Sequence, residues 1–569
     1  MTSPSSLNFD VHEIPFSRRG SWLDISPVVA LHTVREQLHL VSHQTGLNAV
    51  FAFEPQTTAD VIFEASPAAL DWLAADGGRI QAVFESESVL RLRGQGLGLR
   101  IADASAELTP FTGTYFFQDP IDGAAVFTSY ETGRRYRITS LSGTLTLHGA
   151  EALGASERAV EASGHEWEIA IEEFEAARPP YESATTFDQL VRAVAEEFDD
   201  YVQRIASWRS GSSSAVETAA YVLWSATVAP RGFLQRESVL MSKHWMDKVW
   251  SWDHCFNALA LAPGLPAEAV DQFRIVFDFQ DSAGALPDSV THSEVLYNFV
   301  KPPIHGWALR KLRSILSEPI DEPTLRSLYV SLSRWTRFWL DSRRVPGHAL
   351  AHYQHGNDSG WDNSTTFDHD RLIESPDLAA FLVVQFSVLA ELAIELGLPE
   401  DAAMWSGEEG AMTIALAGLW REDTYIARSA TTGRESKMTS LLNNLPIVAA
   451  PHLPGAVSES LAARIGEHLT EWGPATQLVD TAEYEDDGYW RGPIWAPSTA
   501  LIEDGLRRAG EVEIADRISE RFRRLCETSG FAENFDARTG EGLRDRAYTW
   551  TAAVYLTFAR EAEERLTLG

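Results

Sequence analysis

The sequence predicts a multidomain β + α chain: an N-terminal antiparallel β-sandwich followed by an (α/α)6 toroid, a ring of six helical hairpins. Its 569 residues are too many for one ordinary hydrophobic core. Short alternating strand patterns fill the first part of the chain, and helical periodicity fills the rest. We expect a β-sandwich domain at 1–180, a linker helix with a serine-rich break at 181–213, and a helical catalytic domain at 214–569.

The β region is predicted from short runs in which apolar and polar side chains alternate. Examples lie at 61–64, 89–93 and 167–171, and glycine and aspartate separate such runs from about residue 8 to 178. The even spacing of strands and turns is typical of an antiparallel sandwich.

From about residue 186 the periodicity becomes helical. One amphipathic helix is predicted at 187–208, and the serine-rich stretch 210–214 ends it. Asp321 is expected to cap a helix, and Gly397 and Pro399 to end one helix and begin the next. Twelve helices, which make the six hairpins of a toroid, are predicted near 214–228, 250–262, 265–281, 302–317, 322–343, 376–396, 399–421, 437–449, 457–472, 492–509, 511–529 and 546–565.

The longer loops between these helices hold nearly all the segments that combine acids with aromatic rings. If the helix count is right, the loops build the mouth of a funnel and converge on one pocket. They lie near 229–249, 282–301, 344–374, 422–436, 473–491 and 530–545.

Composition excludes several classes of protein. A net charge of −34 would repel nucleic acid and an anionic membrane surface, and we interpret it as an aid to solubility. Cys255 and Cys526 are far apart and form no metal or redox motif. The first ten residues lack an apolar segment and no uncharged run is long enough to span a membrane, so we expect a cytoplasmic protein.

The loop at 355–365 carries the first candidate acid, Asp362. It follows Trp361, and a carboxyl group against an indole is poorly solvated, which raises its pKa and keeps it protonated as a general acid must be. The structural alternative is an aspartate that only shapes a turn, and Asp358 in the same loop fits that role better.

The loop at 531–541 carries the second candidate, Glu533. Alone it could be an ordinary solvated acid, but Phe531 and Phe535 flank it and could fix its position. Asp536, Glu541 and Asp545 compete for the role of a base.

Three further segments, at 248–256, 301–307 and 487–495, supply candidate substrate contacts beside helix starts. In 248–256, Asp253 could accept hydrogen bonds from sugar hydroxyls, and the rings of Trp250 and Trp252 could cover a sugar face. In 487–495, Arg491 opposes the helix dipole, which suggests that it pairs with a catalytic carboxylate or holds the sugar. The candidates of all these loops are Trp250, Trp252, Asp253, Lys301, His305, Trp361, Tyr489, Trp490, Arg491 and Trp495.

Carboxylates flanked by aromatic rings in glycine-rich loops are typical of carbohydrate chemistry, since rings stack on sugars and acids move protons at the glycosidic bond. The pattern therefore predicts a glycoside hydrolase. We find no nucleotide-binding loop, no serine-hydrolase elbow and no convincing metal site, so no cofactor and no metal are expected.

Four motifs resemble glycoside hydrolase family 63 and its close relatives. They are Trp252-Asp253, the run 360–364, the run Tyr-Trp-Arg-Gly-Pro-Ile-Trp at 489–495, and Glu533 followed by the run 539–541. The group includes processing and bacterial α-glucosidases and glucosylglycerate and mannosylglycerate hydrolases. The resemblance covers about 215–565, in the same order along the chain.

What the resemblance implies is an (α/α)6 barrel behind a β-sandwich, and inverting hydrolysis of an α-linked glycoside, with an α-glucoside as the first expectation. On the matching positions, Asp362 would be the general acid, Glu533 the general base, and Asp253 a ligand of the sugar. The expected partner is a small carbohydrate, with the oligomeric state left open. An inverting phosphorylase, a sugar epimerase and a non-catalytic carbohydrate-binding protein remain as alternatives.

Overall fold

The computed structural model describes residues 7–153, 155, 157–211, 213–436 and 438–568. These residues form two compact units. Unit 1 holds the described parts of Met1–Arg204, Ala220–Lys248 and Thr291–Ser293, and unit 2 holds those of Ile205–Ala219, Val249–Val290 and Glu294–Gly569.

Unit 1 is built on antiparallel strands, as the alternating pattern predicts. An amphipathic helix, α1 at Phe187–Ile205, follows them where the periodicity predicts one. The main strands are β1 Leu23–Ala30, β2 Thr33–Ser42, β3 Asn48–Gln56, β4 Val61–Ala65, β5 Leu70–Ala74, β6 Arg79–Ser86, β7 Val89–Gln95, β8 Gly98–Asp103, β9 Thr114–Gln118, β10 Ala125–Ser129, β11 Arg135–His148 and β12 Ala159–Phe174, and a short pair follows at β13 Thr227–Val228 and β14 Ser238–Val239.

The twelve main strands share one sheet that changes partners in the middle of β12. Residues 159–162 of β12 pair with β8, and residues 166–172 pair with β7. Gly164 lies between the two parts with a φ of 135°, a conformation that other residues rarely adopt. The two branches of the sheet enclose one hydrophobic core, to which Leu40 and Trp72 belong.

A buried histidine with two acidic partners lies at the end of β2. The His43 Nε2 atom is 2.7 Å from Asp24 Oδ2, and its Nδ1 atom is 3.2 Å from Asp247 Oδ2. Burial alone would lower the pKa of His43, but the two carboxylates outweigh it and raise the pKa to about 9. The charged ring therefore links β1 to the later segment of unit 1 that carries Asp247.

This arrangement predicts a pH-dependent stability. Because the pKa of His43 is raised from 6.5, its contribution is complete below pH 6.5 and is lost as the pH rises through about 9. We expect His43→Gln to lower the free energy of unfolding by roughly 3 kcal/mol at pH 6, with a smaller difference at pH 10. Urea unfolding at both pH values measures this difference. His12→Gln is the control, since His12 forms an exposed pair with Asp10; an equal, constant loss in both variants would contradict the prediction.

Unit 2 is helical, and most predicted helices are found within a few residues of their expected bounds. Asp321 caps α6 by accepting a hydrogen bond from the Thr324 amide, and Gly397 and Pro399 separate α7 from α8, as predicted. The helices are α2 Val216–Ala226, which the two units divide, α3 Asp253–Leu261, α4 Pro266–Arg274, α5 His305–Ile315, α6 Glu322–Ser342, α7 Pro376–Glu395, α8 Pro399–Ala417, α9 Gly455–His468, α10 Ala496–Ala509, α11 Val512–Ser529 and α12 Thr549–Leu568.

Two predicted helices differ in kind. The helix expected near 437–449 is a 3-10 helix at Leu441–His452, because Pro446 and Pro451 lie inside it and remove backbone donors; position 437 itself lies outside the described residues. The helix expected at 265–281 is α4, which continues as a 3-10 turn at Ile275–Phe279.

Six elements of unit 2 form a closed inner ring. Around the ring, α3 contacts α5, α5 contacts α7, α7 contacts the 3-10 helix 441–452, that helix contacts α10, α10 contacts α12, and α12 returns to α3. The helices between them in sequence pack outside, so the inner elements run in one direction. Their N-terminal ends, and the loops that precede them, therefore meet at one end of the ring.

Those loops carry short antiparallel strands. They are β15 Val249–Trp250, β16 Ser289–Val290, β17 Val295–Leu296, β18 Ile373–Glu374, β19 Trp420–Arg421, β20 Thr424–Tyr425, β21 Ala427–Ser429, β22 Glu435–Ser436, β23 Asn534–Phe535 and β24 Gly542–Leu543.

By length and composition alone α7 could cross a membrane, and 83% of its apolar window is buried inside the structure.

Candidate active site

The candidate residues lie at the N-terminal end of the inner ring. Asp253 is the first residue of α3, Lys301 precedes α5, Asp362 precedes α7, the run 489–495 precedes α10, and Glu533 precedes α12. The N-terminus of each of these helices directs its free N–H groups and the positive end of the helix dipole toward this region, which favours negative charge there.

Asp362 follows Trp361, whose ring is buried. Burial raises the pKa of Asp362, while Lys301 and the Tyr489 hydroxyl act in the opposite direction. Its neighbour Asn363 fixes the loop, because the side chain donates to the Gly488 carbonyl at 3.0 Å and accepts from the Trp490 amide at 2.9 Å. The loops that carry Asp362 and the run 489–495 are thereby joined.

Glu533 is 1% exposed, and its Oε2 atom has no hydrogen-bond partner among the described residues. Its backbone is held at both ends, since its amide donates to the Asp545 carbonyl at 2.7 Å and its carbonyl accepts from Trp550 Nε1 at 3.2 Å. Burial, and then the negative charge of Asp545, raise the pKa of Glu533 to about 8. A rigid backbone thus holds an unpaired acid.

Tyr489 joins the two acids. Hydrogen bonding to its side chain lowers the pKa of Asp362 and also that of Glu533, so one phenol serves both carboxyl groups. The phenol itself has a pKa raised well above its ordinary value by burial and by the two acids, and it stays protonated. Two acids that are 171 positions apart in the sequence therefore both lie near one side chain.

A second charged group lies beside Asp362. Lys301 is buried, its Nζ atom is 3.1 Å from Asp288 Oδ1, and it donates to the Asn357 carbonyl at 3.1 Å. Burial opposes its charge, but Asp288, Asp362 and Asp253 together raise the pKa of Lys301. One lysine thus lies among three acids, and it holds the loop of Asp288 to the loop of Asn357.

Asp253 is almost fully buried at the start of α3. Burial raises the pKa of Asp253 to about 8, and its Oδ2 atom has no hydrogen-bond partner among the described residues. A buried carboxyl oxygen without a partner is costly, and a sugar hydroxyl could supply the missing hydrogen bond.

The predicted tryptophans form one cluster. Trp490 stacks on Trp495 at 4.0 Å and lies 4.7 Å from Trp361, and Trp252 lies 6.3 Å from Trp490. These four rings are at most 3% exposed, so they pack as a supporting wall. Trp250 on β15 is only partly buried.

One predicted contact, His305, lies in the core. His305 is 0% exposed and lies among the rings of His254, Phe277 and Trp335, so it is part of the packing of α5. A histidine at the junction of a loop and a helix can face either the loop end or the core, and here it faces the core.

Arg491 pairs with Asp368, and its Nε atom donates to the Asn363 carbonyl at 2.7 Å. It forms no ion pair with a candidate catalytic carboxylate. It supports the loop of Asp362 and lines the cavity beside that residue.

A cavity of about 450 Å³ opens beside Asp362. Besides acids, its lining includes four basic or titratable side chains, those of His355, His369, Arg371 and Arg491. Arg371 is exposed, and its guanidinium forms no ion pair with the described residues. Asp368, which pairs with Arg491, and Asp370 also line the cavity, so Arg371 is the positive group of this lining that forms no ion pair with the described residues.

Other acids have structural roles. Asp358 accepts hydrogen bonds from the amides of Val300 and Gln354 and from Arg343, as a residue that shapes a loop does. Asp536 accepts from the amides of 538 and 539 and forms a turn.

Sequence reasoning missed Asp288, Arg371 and Arg544. Asp288 follows Pro287 and lacks an aromatic neighbour, so only its contact with Lys301 reveals it. The other two lie in charged loop segments that resemble ordinary surface.

One group of possible metal ligands is present among the described residues. His254, Cys255 and His305 each bring one potential ligand atom within 4.8 Å of the others. Burial raises the pKa of the Cys255 thiol well above its ordinary value and lowers the pKa of His254 to about 4. The group is therefore neutral, and it packs behind Asp253 as part of the core.

Paired acids at the open end of a helical ring define the class of glycoside hydrolases. A family model described as "Mannosylglycerate hydrolase MGH1-like glycoside hydrolase domain" matches residues 246–551. The match covers more than half of the chain, and the chain belongs to this family of glycosidases.

Two characterised relatives match most of their own length. A mannosylglycerate hydrolase of Rubrobacter radiotolerans is 24% identical over 405 residues, which are 55% of this chain and 90% of that protein. A glucosylglycerate hydrolase of Mycolicibacterium hassiacum is 21% identical over 411 residues, which are 54% of this chain and 91% of that protein.

Two solved structures share the fold. The GH63 mannosylglycerate hydrolase of Thermus thermophilus, in complex with Tris, has a TM-score of 0.54 at 21% identity and covers 60% of this chain and 98% of its own. A bacterial glucoamylase complexed with acarbose has a TM-score of 0.64 at 11% identity and covers 99% and 97%. The predicted fold class and the resemblance to family 63 are confirmed.

A glycine behind the site gives a direct test of this packing. Gly360 has a φ of 74°, and a Cβ atom there would come within 2.6 Å of the Trp252 ring. We expect Gly360→Ala to lower the free energy of unfolding by about 2–4 kcal/mol and to displace Trp252, with a change in tryptophan fluorescence.

Gly397→Ala is the matched control, because its φ is 71° and nothing lies within 4 Å of the added carbon. It should cost only about 1 kcal/mol. Equal losses in the two variants would mean that the contact with Trp252 is not tight.

Proposed function

We propose that this chain is an inverting hydrolase of a small α-linked glycoside, with Asp362 as general acid and Glu533 as general base. The observation that carries the proposal is that Tyr489 acts on both carboxyl groups, so the two acids lie near one side chain. The proposal puts them on opposite sides of one sugar-sized space.

Inversion requires a longer separation between the two carboxyl groups than retention does. Inverting enzymes keep their carboxyl groups about 6.5–9.5 Å apart to leave room for water, whereas retaining enzymes need about 5–5.5 Å. The proposed inversion therefore requires the longer separation between the carboxyl groups of Asp362 and Glu533.

The charge state supports one acid and one base. Burial raises the pKa of both groups, and the charge of Asp362 raises the pKa of Glu533 further. Close acids of this kind titrate as a pair, so the loss of one proton holds the second on its partner. The pair then offers one carboxylic acid and one carboxylate, as the reaction requires. Because Glu533 has a pKa of about 8, the pKa shifts do not decide which of the two holds the proton, and the roles are assigned by position and by the family resemblance.

Position assigns the two roles. Asp362 lines the cavity of about 450 Å³, and an aglycone that leaves through this cavity would have its oxygen next to that carboxyl group. Glu533 lies deeper, with Asp545 and Trp550 around its backbone. Water held near Glu533 would attack the sugar from the face opposite the leaving oxygen.

The sugar is proposed to bind between these acids and Asp253. The unpaired Oδ2 atom of Asp253 would accept hydrogen bonds from hydroxyl groups, and Lys301 would donate to a neighbouring oxygen. The tryptophan wall, which includes Trp252, Trp361 and Trp490, would lie beneath the sugar ring.

The aglycone is proposed to be a small carboxylate such as glycerate. In a chain of net charge −34, an anion needs a local positive group, and Arg371 supplies one in the cavity beside Asp362. The two characterised relatives are named for hydrolysis of mannosylglycerate and glucosylglycerate. The sugar is therefore proposed to be an α-linked glucose or mannose.

A phosphorylase is disfavoured by the same contacts. Phosphate would need free cations at the position of the attacking water, but Lys301 is held by Asp288 and Arg491 is held by Asp368.

The acids give the first functional prediction. We expect Asp362→Asn and Glu533→Gln to lower kcat by at least about 10³-fold. Both should keep or raise the melting temperature, because each removes a buried charge. Proton NMR of the first product formed by the wild type should show the β-anomer, released from an α-glycoside.

Asp536→Asn and Asp358→Asn are the controls. Asp536→Asn should keep most of the activity, and Asp358→Asn should lose stability, because it weakens three hydrogen bonds. Full activity of the Asp362 variant, or an α-anomer as first product, would refute the mechanism.

A substrate panel tests the aglycone. We expect kcat/KM for α-glucosylglycerate or α-mannosylglycerate to exceed that for the matching methyl α-glycoside by about 10²-fold or more, and Arg371→Gln to remove about tenfold of that preference. Arg428→Gln, which loses an ion pair with Glu374, is the control and should leave the preference unchanged. Disaccharides as the best substrates would contradict the assignment, and release of a sugar phosphate only when phosphate is added would establish the phosphorylase.

A further inference from the structure

Tyr489 has no helix or strand to hold it in place. It is one of four non-glycine residues among the described part of the chain with a positive φ, here 61°, and such a backbone costs free energy that other contacts must balance. Its ring lies against Trp495 at 4.9 Å on one side. What holds the other side decides where the hydroxyl lies.

Arg544 lies on that other side. Its guanidinium carbon is 4.8 Å from the centroid of the Tyr489 ring, within the range of a cation–π contact. Arg544 also has a φ of 61°, so two of the four strained non-glycine positions stack on each other. Strain of this kind persists where surrounding contacts fix it, and it is concentrated at functional sites.

The guanidinium also joins the two loops of the site. Its Nη1 atom donates to Asn534 Oδ1 at 3.0 Å, next to Glu533 in the chain. Its Nη2 atom is 2.7 Å from Asp487 Oδ1, two residues before Tyr489. The planar fork of an arginine can make both contacts and still stack on the ring, which a lysine cannot do.

We propose that Arg544 is a positioning residue of this site, which clamps the Tyr489 phenol between Asp362 and Glu533 by stacking on its ring and joining the two loops. The proposal rests on the proposed function of the two acids. Arg544 does not need to touch the substrate for this role.

The charge of Arg544 has a second effect on the same site. Glu533 is faced by Asp545, Asp362, Tyr489 and Tyr548 as well as by Arg544. Burial and the two aspartates raise the pKa of Glu533, and Arg544 and the Tyr489 hydroxyl lower it. Loss of Arg544 should therefore have two effects: it should raise the pKa of Glu533, and it should displace Tyr489.

The test is the pH profile of kcat/KM on an α-hexosylglycerate. A base must be ionised, so activity falls as the pH drops below the pKa of Glu533. We expect Arg544→Met to move this acidic limb upward by about one pH unit and to lower kcat at pH 7 about tenfold, with KM changed less than threefold. Arg544→Lys, which keeps the charge, should move the limb less than Arg544→Met while still lowering kcat.

Arg538→Met is the matched control. Arg538 stacks on Tyr484 at 4.7 Å in the same pair of loops, but its tyrosine contacts neither acid. It should keep the limb and kcat of the wild type. Arg544→Gly protects the test against misfolding, because glycine adopts a φ of 61° without strain, and it should reproduce the kinetic loss of Arg544→Met at a wild-type or higher melting temperature.

Tyr489→Phe distinguishes positioning from a general loss of structure. If Arg544 positions the site through Tyr489, adding Arg544→Met to Tyr489→Phe should lower kcat less than threefold further, where kcat is measured at a pH above the acidic limb so that the direct effect of the charge on Glu533 does not enter. A tenfold loss in both backgrounds, or an Arg544→Met enzyme identical to Arg538→Met, would overturn the proposal.

Failure of the proposed function gives a separate result. If Glu533→Gln keeps activity, Glu533 is not the base, whatever Arg544 does. If Glu533→Gln is inactive but Arg544→Met and Arg544→Gly behave like the wild type, the acids have their proposed roles and only the clamp is refuted.

Discussion

The closed ring of six inner elements in unit 2 is the constraint on which the site depends. Because those elements run in one direction, their N-terminal ends and the preceding loops meet at one end of the ring. Acids from positions 253, 288, 362 and 533 are thereby buried together, although they are far apart in the sequence. Free backbone N–H groups at the helix starts and the single charge of Lys301 offset part of the repulsion between them.

This burial is energetically unfavourable for the free protein. Oxygens of Asp253 and Glu533 have no partner among the described residues, and burial raises the pKa of each group to about 8. Unpaired polar atoms in the interior destabilise a fold, and an enzyme tolerates them where a ligand completes the hydrogen bonds. The tryptophan wall and the fixed backbone of Glu533 keep the acids in place without neutralising them.

Local sequence chemistry was sufficient for much of the fold, and it selected two acids that both lie near Tyr489 in the structure. Alternation and helical period predicted the strands and most helices, and the aromatic and glycine neighbours of Asp362 and Glu533 distinguished them from other acids. Packing decided the rest. His305 faces the aromatic core, which no local pattern reveals, and Pro446 and Pro451 turn an expected helix into a 3-10 helix.

Local sequence patterns also could not predict contacts between residues that are far apart in the sequence. Arg491 belongs to a specific motif, but its partner, Asp368, lies 123 positions earlier. Arg544 and Asp288 show their importance only through contacts with other loops. Residues that support a site are identified by their contacts in the folded chain, whereas the two proposed catalytic acids are marked by their neighbours in the sequence.

The deep position of Glu533 has a consequence for the order of events. Asp362 lines the open cavity, but Glu533 and Asp253 lie behind it in nearly inaccessible positions. On the proposed mechanism, the released sugar would sit at the blind end and the aglycone would stand between it and solvent. The aglycone must then depart first, and free hexose would compete directly with incoming substrate for the emptied space.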